Sequence, residues 1–161
     1  MKLPEHPRIH PLTVKHLLAL KLPEVYSVSS AAMVSEALAV MAEHDVGAVV
    51  VLDGERVVGM FSERDYARMG FVAAGMADVT RVSHRLTPCE VFATPSQTAQ
   101  RCLEMMDENR VSYLPVIDDG RLLGLLSIGD LLREIIVHYE RIFQAHELDQ
   151  RILFLQGTYS C

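Results

Sequence analysis

No Cys-x-x-Cys pair occurs in this chain, and its three cysteines, Cys89, Cys102 and Cys161, would leave one over even if two joined. That argues against a disulfide framework and against a thiolate zinc site, and it makes all three reduced thiols, with Cys102 in a core. An excess of basic charge is also missing. With 15 Lys and Arg against 21 Asp and Glu, the formal net charge is −6, so no basic field exists to hold a phosphate backbone by counterion release. Long apolar runs are lacking too: Val46–Leu52 is broken by Gly47, far short of a bilayer span, and the opening MKLPEHPRIHPL has no secretory apolar core. A soluble cytoplasmic protein with neither nucleic acid nor membrane as partner is expected. The seven histidines, among them His6, His10, His16, His138 and His146, include no i, i+4 pair with an acid of the zinc-enzyme kind. Nucleophile elbow, Walker loop and kinase motifs are absent as well, so neither catalysis nor a metal is expected.

What the sequence does contain is a duplication. Half of its 161 residues are hydrophobic, enough for a folded core. Shifting the sequence by 65 residues, Gly59 onto Gly124, aligns 29–66 with 94–131 without gaps. Ten pairs are identical, among them Leu38/Leu103, Met41/Met106, Val46/Val111, Val51/Val116, Ser62/Ser127 and Asp65/Asp130. Each unit is shorter than an ordinary domain, so two copies sharing buried surface are the natural solution.

Each copy reads as β-α-β-β-α, an α+β arrangement. A short strand (Val25–Val28, Glu90–Ala93) ends in small polar residues suited to a helix N-cap. Val34, Ala37, Leu38 and Met41, and in the second copy Ala99, Cys102, Leu103 and Met106, then fall at helical spacing and form one apolar face. The runs VGAVVVL and VSYLPVI, turns at Asp53-Gly54 and Asp118-Asp119-Gly120, and the runs VVGMF and LLGLL read as hairpins. Pro4, Pro7 and Pro11 mark an extended N-terminal arm, residues 1–12. The copies are assigned to 13–82, including the connecting segment, and to 83–137, with a helical tail over 138–161. Leu132, Ile135, Ile136, Tyr139, Ile142 and Phe143 form a stripe on the tail, continued by Ile152, Leu153 and Leu155. That stripe either packs along its own domain or makes a contact between subunits.

The duplicated motif that carries chemistry is Gly59-Met-Phe-Ser-Glu-Arg-Asp65 and Gly124-Leu-Leu-Ser-Ile-Gly-Asp130. It lies where a strand becomes a helix. Glycine permits close approach of a backbone or a ligand, the helix start offers N–H groups to a phosphate, and the aspartate can accept both hydroxyls of a ribose. The same Ser-x-x-Asp spacing also matches a capping box, and local sequence leaves both readings open.

Over roughly Thr13 to Val137 this arrangement resembles the tandem CBS-domain pair, named for cystathionine β-synthase. Asn109-Arg-Val-Ser-Tyr-Leu-Pro-Val116 and the two Gly-to-Asp motifs carry the resemblance. It implies two β-α-β-β-α repeats related by a pseudo-twofold, acting as a non-enzymatic regulatory module. It implies an adenine nucleotide in the inter-repeat cleft, AMP foremost, with ATP, ADP, NAD or S-adenosylmethionine as alternatives. By the same resemblance, one site has Asp65 on the ribose, Ser62 and Arg64 on the phosphate, and Thr87, Val91, Val111, Ser112 and Tyr113 around adenine. The other has Asp130 on the ribose and Ser127 on the phosphate, with Tyr26, Val46, Gly47 and Ala48 around the base. Gly129 replaces the arginine there, so the Asp65 site should favour phosphorylated ligands. Lys21 stands near the position of the second site's threonine. A face-to-face homodimer signalling to a separate effector protein is implied. The competing reading is a structural oligomerisation or docking module with no ligand.

Overall fold

A computed structural model describes residues 10–20, 24–70 and 75–157. Lys21, His6, Pro4, Pro7 and Cys161 lie outside the described residues. Along the chain the elements are α1 (Val14–Ala19), β1 (Ser27–Ser29), α2 (Val34–His44), β2 (Ala48–Asp53), β3 (Arg56–Ser62), α3 (Glu63–Arg68), β4 (Thr87–Pro88), α4 (Ala99–Asn109), β5 (Tyr113–Asp118), β6 (Arg121–Ser127) and α5 (Ile128–Gly157). A 3-10 turn, Val82–His84, precedes β4. This is the α+β architecture expected, with two repeats and a long C-terminal helix.

The two copies repeat each other down to irregularities. Helices α2 and α4 bury Val34, Ala37 and Met41, and Ala99, Cys102 and Met106, from the stripes expected by helical spacing; Leu38 and Leu103 are only partly buried, and Met105 joins the buried face. Both end on a residue in the left-handed region, Asp45 (φ 52°) and Arg110 (φ 54°), and the N–H groups of Val46 and Val111 then close back onto the carbonyls of Met41 and Met106. Such an ending satisfies carbonyls that the last turn leaves free. Each hairpin is antiparallel with a register shift at the same point, Val51/Leu52 and Val116/Ile117.

At their edges the copies differ. β1 pairs parallel with β2, and β4 pairs antiparallel with β3, giving the order β1-β2-β3-β4. Around the second hairpin the strand expected over Glu90–Ala93 reduces to a bridge from Ala93 to Val116, held by Ala93 N–H to Pro115 O (2.8 Å) and Ile117 N–H to Ala93 O (2.9 Å). The Glu90 N–H instead turns back to Pro88 O. The N-caps also fall later than the small polar residues that end the strands. They are Thr98, whose hydroxyl accepts from the Arg101 N–H, and Met33, whose own N–H donates to Glu36 Oε2 at 2.7 Å.

The segments preceding the repeats are exchanged. Val14 and Leu17 of α1 are buried in the core of the second repeat, with Ala93, Ala99, Leu114, Val116, Leu126 and Leu131. Val82, from the connection, is buried in the core of the first, with Val34, Met41, Val49, Val51 and Phe61. Backbone bonds fix both: Val14 N–H to Gln97 O and Ala99 N–H to Leu12 O on one side, Val82 N–H to Ala32 O and Val34 N–H to Thr80 O on the other. Full burial of a side chain such as Leu17 or Phe61 contributes about 1.5–3 kcal/mol, so each repeat draws on residues supplied from outside it.

Helix α5 runs for 30 residues, about 45 Å at 1.5 Å per residue. Its first turns pack on the second repeat through Leu131 and Ile135. Further along, Ile136, Tyr139 and Phe143 are exposed, so packing along its own domain accounts for only the start of the stripe. No helix among the described residues is long and apolar enough to cross a membrane.

The two motif glycines answer to different neighbours. A Cβ on Gly59 would sit 2.5 Å from the Thr87 carbonyl oxygen, whereas one on Gly124 would meet the flexible end of Leu18 at 2.8 Å. Gly59→Ala is expected to destabilise by about 1–3 kcal/mol, the scale of overpacking against backbone, and Gly124→Ala by clearly less. Urea unfolding of the two variants checks the order.

Candidate functional site

Two cavities lie between the repeats, and each takes its motif from one copy and its αL corner from the other. The first, about 420 Å³, is lined by Ser62, Arg64, Asp65 and Thr87 together with Val111, Ser112 and Tyr113. The second, about 370 Å³, is lined by Ser127 and Asp130 together with Tyr26, Val46, Gly47 and Ala48. Both fall within the range of small-molecule sites. The residues expected at each site therefore converge, with one exception. Val91 packs against the second repeat's core, where a side chain of its apolarity loses most water contact, and it does not line the first cavity.

Asp65 is both cap and cavity wall. Its Oδ2 accepts from the Ser62 N–H and the Ser62 hydroxyl, each at 2.8 Å, and its Oδ1 accepts from the Thr87 hydroxyl at 2.8 Å. The Asp65 N–H donates to Ser62 Oγ at 3.4 Å, completing the capping box. At 7% exposure it is the buried charged residue among those described. A buried carboxylate is tolerable only when donors converge on it, and three do. Asp130 repeats the pattern more openly. Its Oδ2 accepts from Ser127 Oγ at 2.6 Å, its own N–H donates to Ser127 Oγ at 3.0 Å, and Arg133 donates to Oδ1 at 3.0 Å in the place Thr87 takes in the first copy.

The N–H groups expected to greet a phosphate are in part already used. Glu63 N–H donates to Gly47 O at 3.1 Å and Ile128 N–H to Ser112 O at 3.0 Å, equivalent bonds in the two copies. These bonds tie each helix start to the corner before the hairpin of its own repeat. Charge for a phosphate must therefore come mainly from side chains, and the cavities differ in it. Arg64, Arg68 and Arg110 reach the first; the residues 65 positions away are Gly129, Arg133 and Asp45, of which Asp45 lines the second beside Glu24. Arg68, Asn109, Arg110, Met60 and Glu63 at the first cavity, and Glu24, His44, Asp45 and Leu125 at the second, were not singled out from sequence. For Asp45 and Arg110 a signal existed, since they are paired by the same shift and immediately precede Val46 and Val111.

Gly47 and Tyr113 line both cavities. Burial, with Glu63 and Asp130 nearby, pushes the Tyr113 phenol above its ordinary value, keeping it neutral at physiological pH. In the second cavity Tyr26 stacks on His44 at 3.8 Å between centroids and donates to Glu24 Oε2 at 2.9 Å. That bond chiefly raises its phenol. Away from both cavities, His84 is exposed on the 3-10 turn, and burial pushes the Cys102 thiol up to about 11, as befits a core cysteine.

The family model for the CBS domain matches residues 14–69 and 81–137. The CBS domain-containing protein CBSX3, mitochondrial, of Arabidopsis thaliana is 33% identical over 131 residues, which cover 78% of this chain and 61% of that protein, so the chain spans less than two thirds of that relative. A solved CBS-domain protein from Burkholderia ambifaria MC40-6 is 38% identical, with a TM-score of 0.72, and the match covers 78% of this chain and 94% of that one. The structure of CBSX2 in complex with AMP has a TM-score of 0.63 at 24% identity, covering 78% of this chain and 96% of its own, which is a likeness of fold.

The wall shared by the cavities is tight. A Cβ on Gly47 would stand 2.5 Å from the Tyr113 hydroxyl but 3.7 Å from its ring carbon. Gly47→Ala is expected to cost about 1–3 kcal/mol in the wild-type background and markedly less in Tyr113→Phe, a non-additivity that a double-mutant cycle on thermal unfolding measures.

Proposed function

Since the chain belongs to the CBS-domain family, with the domain in two tandem copies, we propose that it is a non-enzymatic sensor that binds an adenine nucleotide between its repeats. The observation that carries this reading is the position of Asp65, a buried carboxylate on the wall of a 420 Å³ cavity that is also lined by Arg110, Val111, Ser112 and Tyr113 of the other repeat. A ribose would share that carboxylate with Ser62 and Thr87, the phosphate would meet Arg64, and the base would lie against Val111, Ser112 and Tyr113. The second cavity offers Asp130 and Ser127 to a sugar and Tyr26, Val46, Gly47 and Ala48 to a base. That CBSX2 is solved with AMP supports an adenosyl ligand for this fold.

Output follows from differential affinity: a ligand shifts the relation of the repeats only if it binds one arrangement better than another. A homodimer of such modules would pass that shift to a separate effector protein. One observation favours the rival reading of a ligand-free docking module, namely the exposed Ile136, Tyr139 and Phe143 on α5.

Thermal unfolding separates the two. A ligand at a hundredfold excess over its Kd should add about 2.7 kcal/mol of stability. If AMP, ATP, NAD and S-adenosylmethionine all leave the transition where it was, the sensor reading is lost. Where one binds, calorimetry on Asp65→Asn and Asp130→Asn should show each weakening its own site by about 1–3 kcal/mol, the scale of a hydrogen bond to a charged group.

A further inference from the structure

The first cavity does not end at Arg64. Arg64, Arg68, Arg110, Val111 and Ser112 also line an adjoining recess of about 540 Å³, so the two spaces share a rim on which three guanidinium groups stand. Among the described residues no carboxylate lies in salt-bridge distance of any of the three. Arg64 Nη1 instead reaches the Arg110 carbonyl oxygen at 3.5 Å, linking α3 of one repeat to the corner of the other. Past Asp65 and Glu63, the recess adds a single acid, Asp107.

Such a concentration of unpaired arginine is out of keeping with a chain of net charge −6. It is also no requirement of the fold. At the equivalent places the second copy has Gly129 and Asp45, and its one arginine, Arg133, is held by Asp130 at 3.0 Å. Guanidinium forks match successive phosphate groups, each with two or more oxygens facing outward, better than they match a single terminal phosphate already met by one arginine.

We propose that the first cleft takes a nucleoside di- or triphosphate, its phosphate chain leaving the Ser62–Asp65 pocket past Arg64 and entering the recess between Arg68 and Arg110, and that it selects against the monophosphate. This deepens, and rests on, the reading that the cleft holds an adenosyl ligand. Length of the phosphate chain is then what the site measures.

Calorimetric titration of AMP, ADP and ATP in EDTA tests it, on wild type and on Arg68→Gln and Arg110→Asn. Asparagine suits position 110 because it accepts the left-handed φ of 54°. Both arginines are exposed, so the variants should fold, which circular dichroism verifies. ATP is expected to bind at least tenfold tighter than AMP, with ADP between, and each variant should bring the ATP-to-AMP affinity ratio several-fold closer to one. Inorganic tripolyphosphate should compete with ATP in wild type and lose that ability in both variants. AMP binding as tightly as ATP, or a ratio the variants leave untouched, overturns the polyphosphate assignment while the adenosyl reading stands. If none of the three nucleotides binds, the underlying reading itself fails.

Discussion

The structure turns on one buried carboxylate. Asp65 lies at 7% exposure, where a charge without partners would cost several kcal/mol, and it is held there by the Ser62 N–H, the Ser62 hydroxyl and the Thr87 hydroxyl. Those donors come from the end of β3 and from β4, so the carboxylate draws the entry to the second repeat onto the sheet of the first. Gly59 is the counterpart of that closeness, because only a residue without a side chain lets the Thr87 carbonyl approach. A carboxylate has about four lone-pair positions. With three filled internally, its geometry is preset, and the capping role leaves Asp65 on the wall of the first cavity.

The exchange of preceding segments explains why the cavities lie where they do. α1 belongs by sequence to the first repeat and packs in the second, while Val82, which lies within the family model's second match (81–137), packs in the first. Neither copy can bury its helix face without residues supplied from outside the repeat, so the two copies fold as one unit. Their hairpins then face each other across Gly47 and Tyr113. The first helical N–H of α3 and of α5 is spent within its own copy, on Gly47 O and Ser112 O, while Arg64 Nη1 reaches across to the Arg110 carbonyl oxygen at 3.5 Å. A single frame around two clefts follows from the exchanged segments.

Much of this was legible in the chain because duplication makes each signal appear twice. The faces of α2 and α4, both hairpins and both motif junctions follow from local periodicity and turn chemistry. What escaped depended on partners distant in sequence. The strand expected at Glu90–Ala93 shrinks to Ala93 because Glu90 turns back on Pro88, and Val91 goes to the core instead of the cleft. Met33 occupies an N-cap that Ser29 or Ser30 would suit better by type, since pairing of Met33 with Arg81 in the connection sets where α2 begins. Arg68 and Arg110 carry no motif, and only the meeting of α3 with the corner after α4 puts them together.

Duplication preserved the frame and let the charges part. At positions 64 and 110 the first cleft presents arginine where the second has Gly129 and Asp45, so the two differ in charge around a shared wall by their side chains and not by their backbone. That wall is the Tyr113 ring, whose counterpart in the other copy is only Ala48. Its hydroxyl rests against Gly47 and it lines both cavities. An occupant that moved the ring would reshape the neighbouring cleft, so a side chain shared in this way is where the two cavities meet physically. The magnitude of that effect is bounded by how differently each ligand binds the two ring positions. Glycine at 47 and tyrosine at 113, a pair with no counterpart elsewhere in the duplication, are therefore where the two halves cease to be copies and become parts of one device.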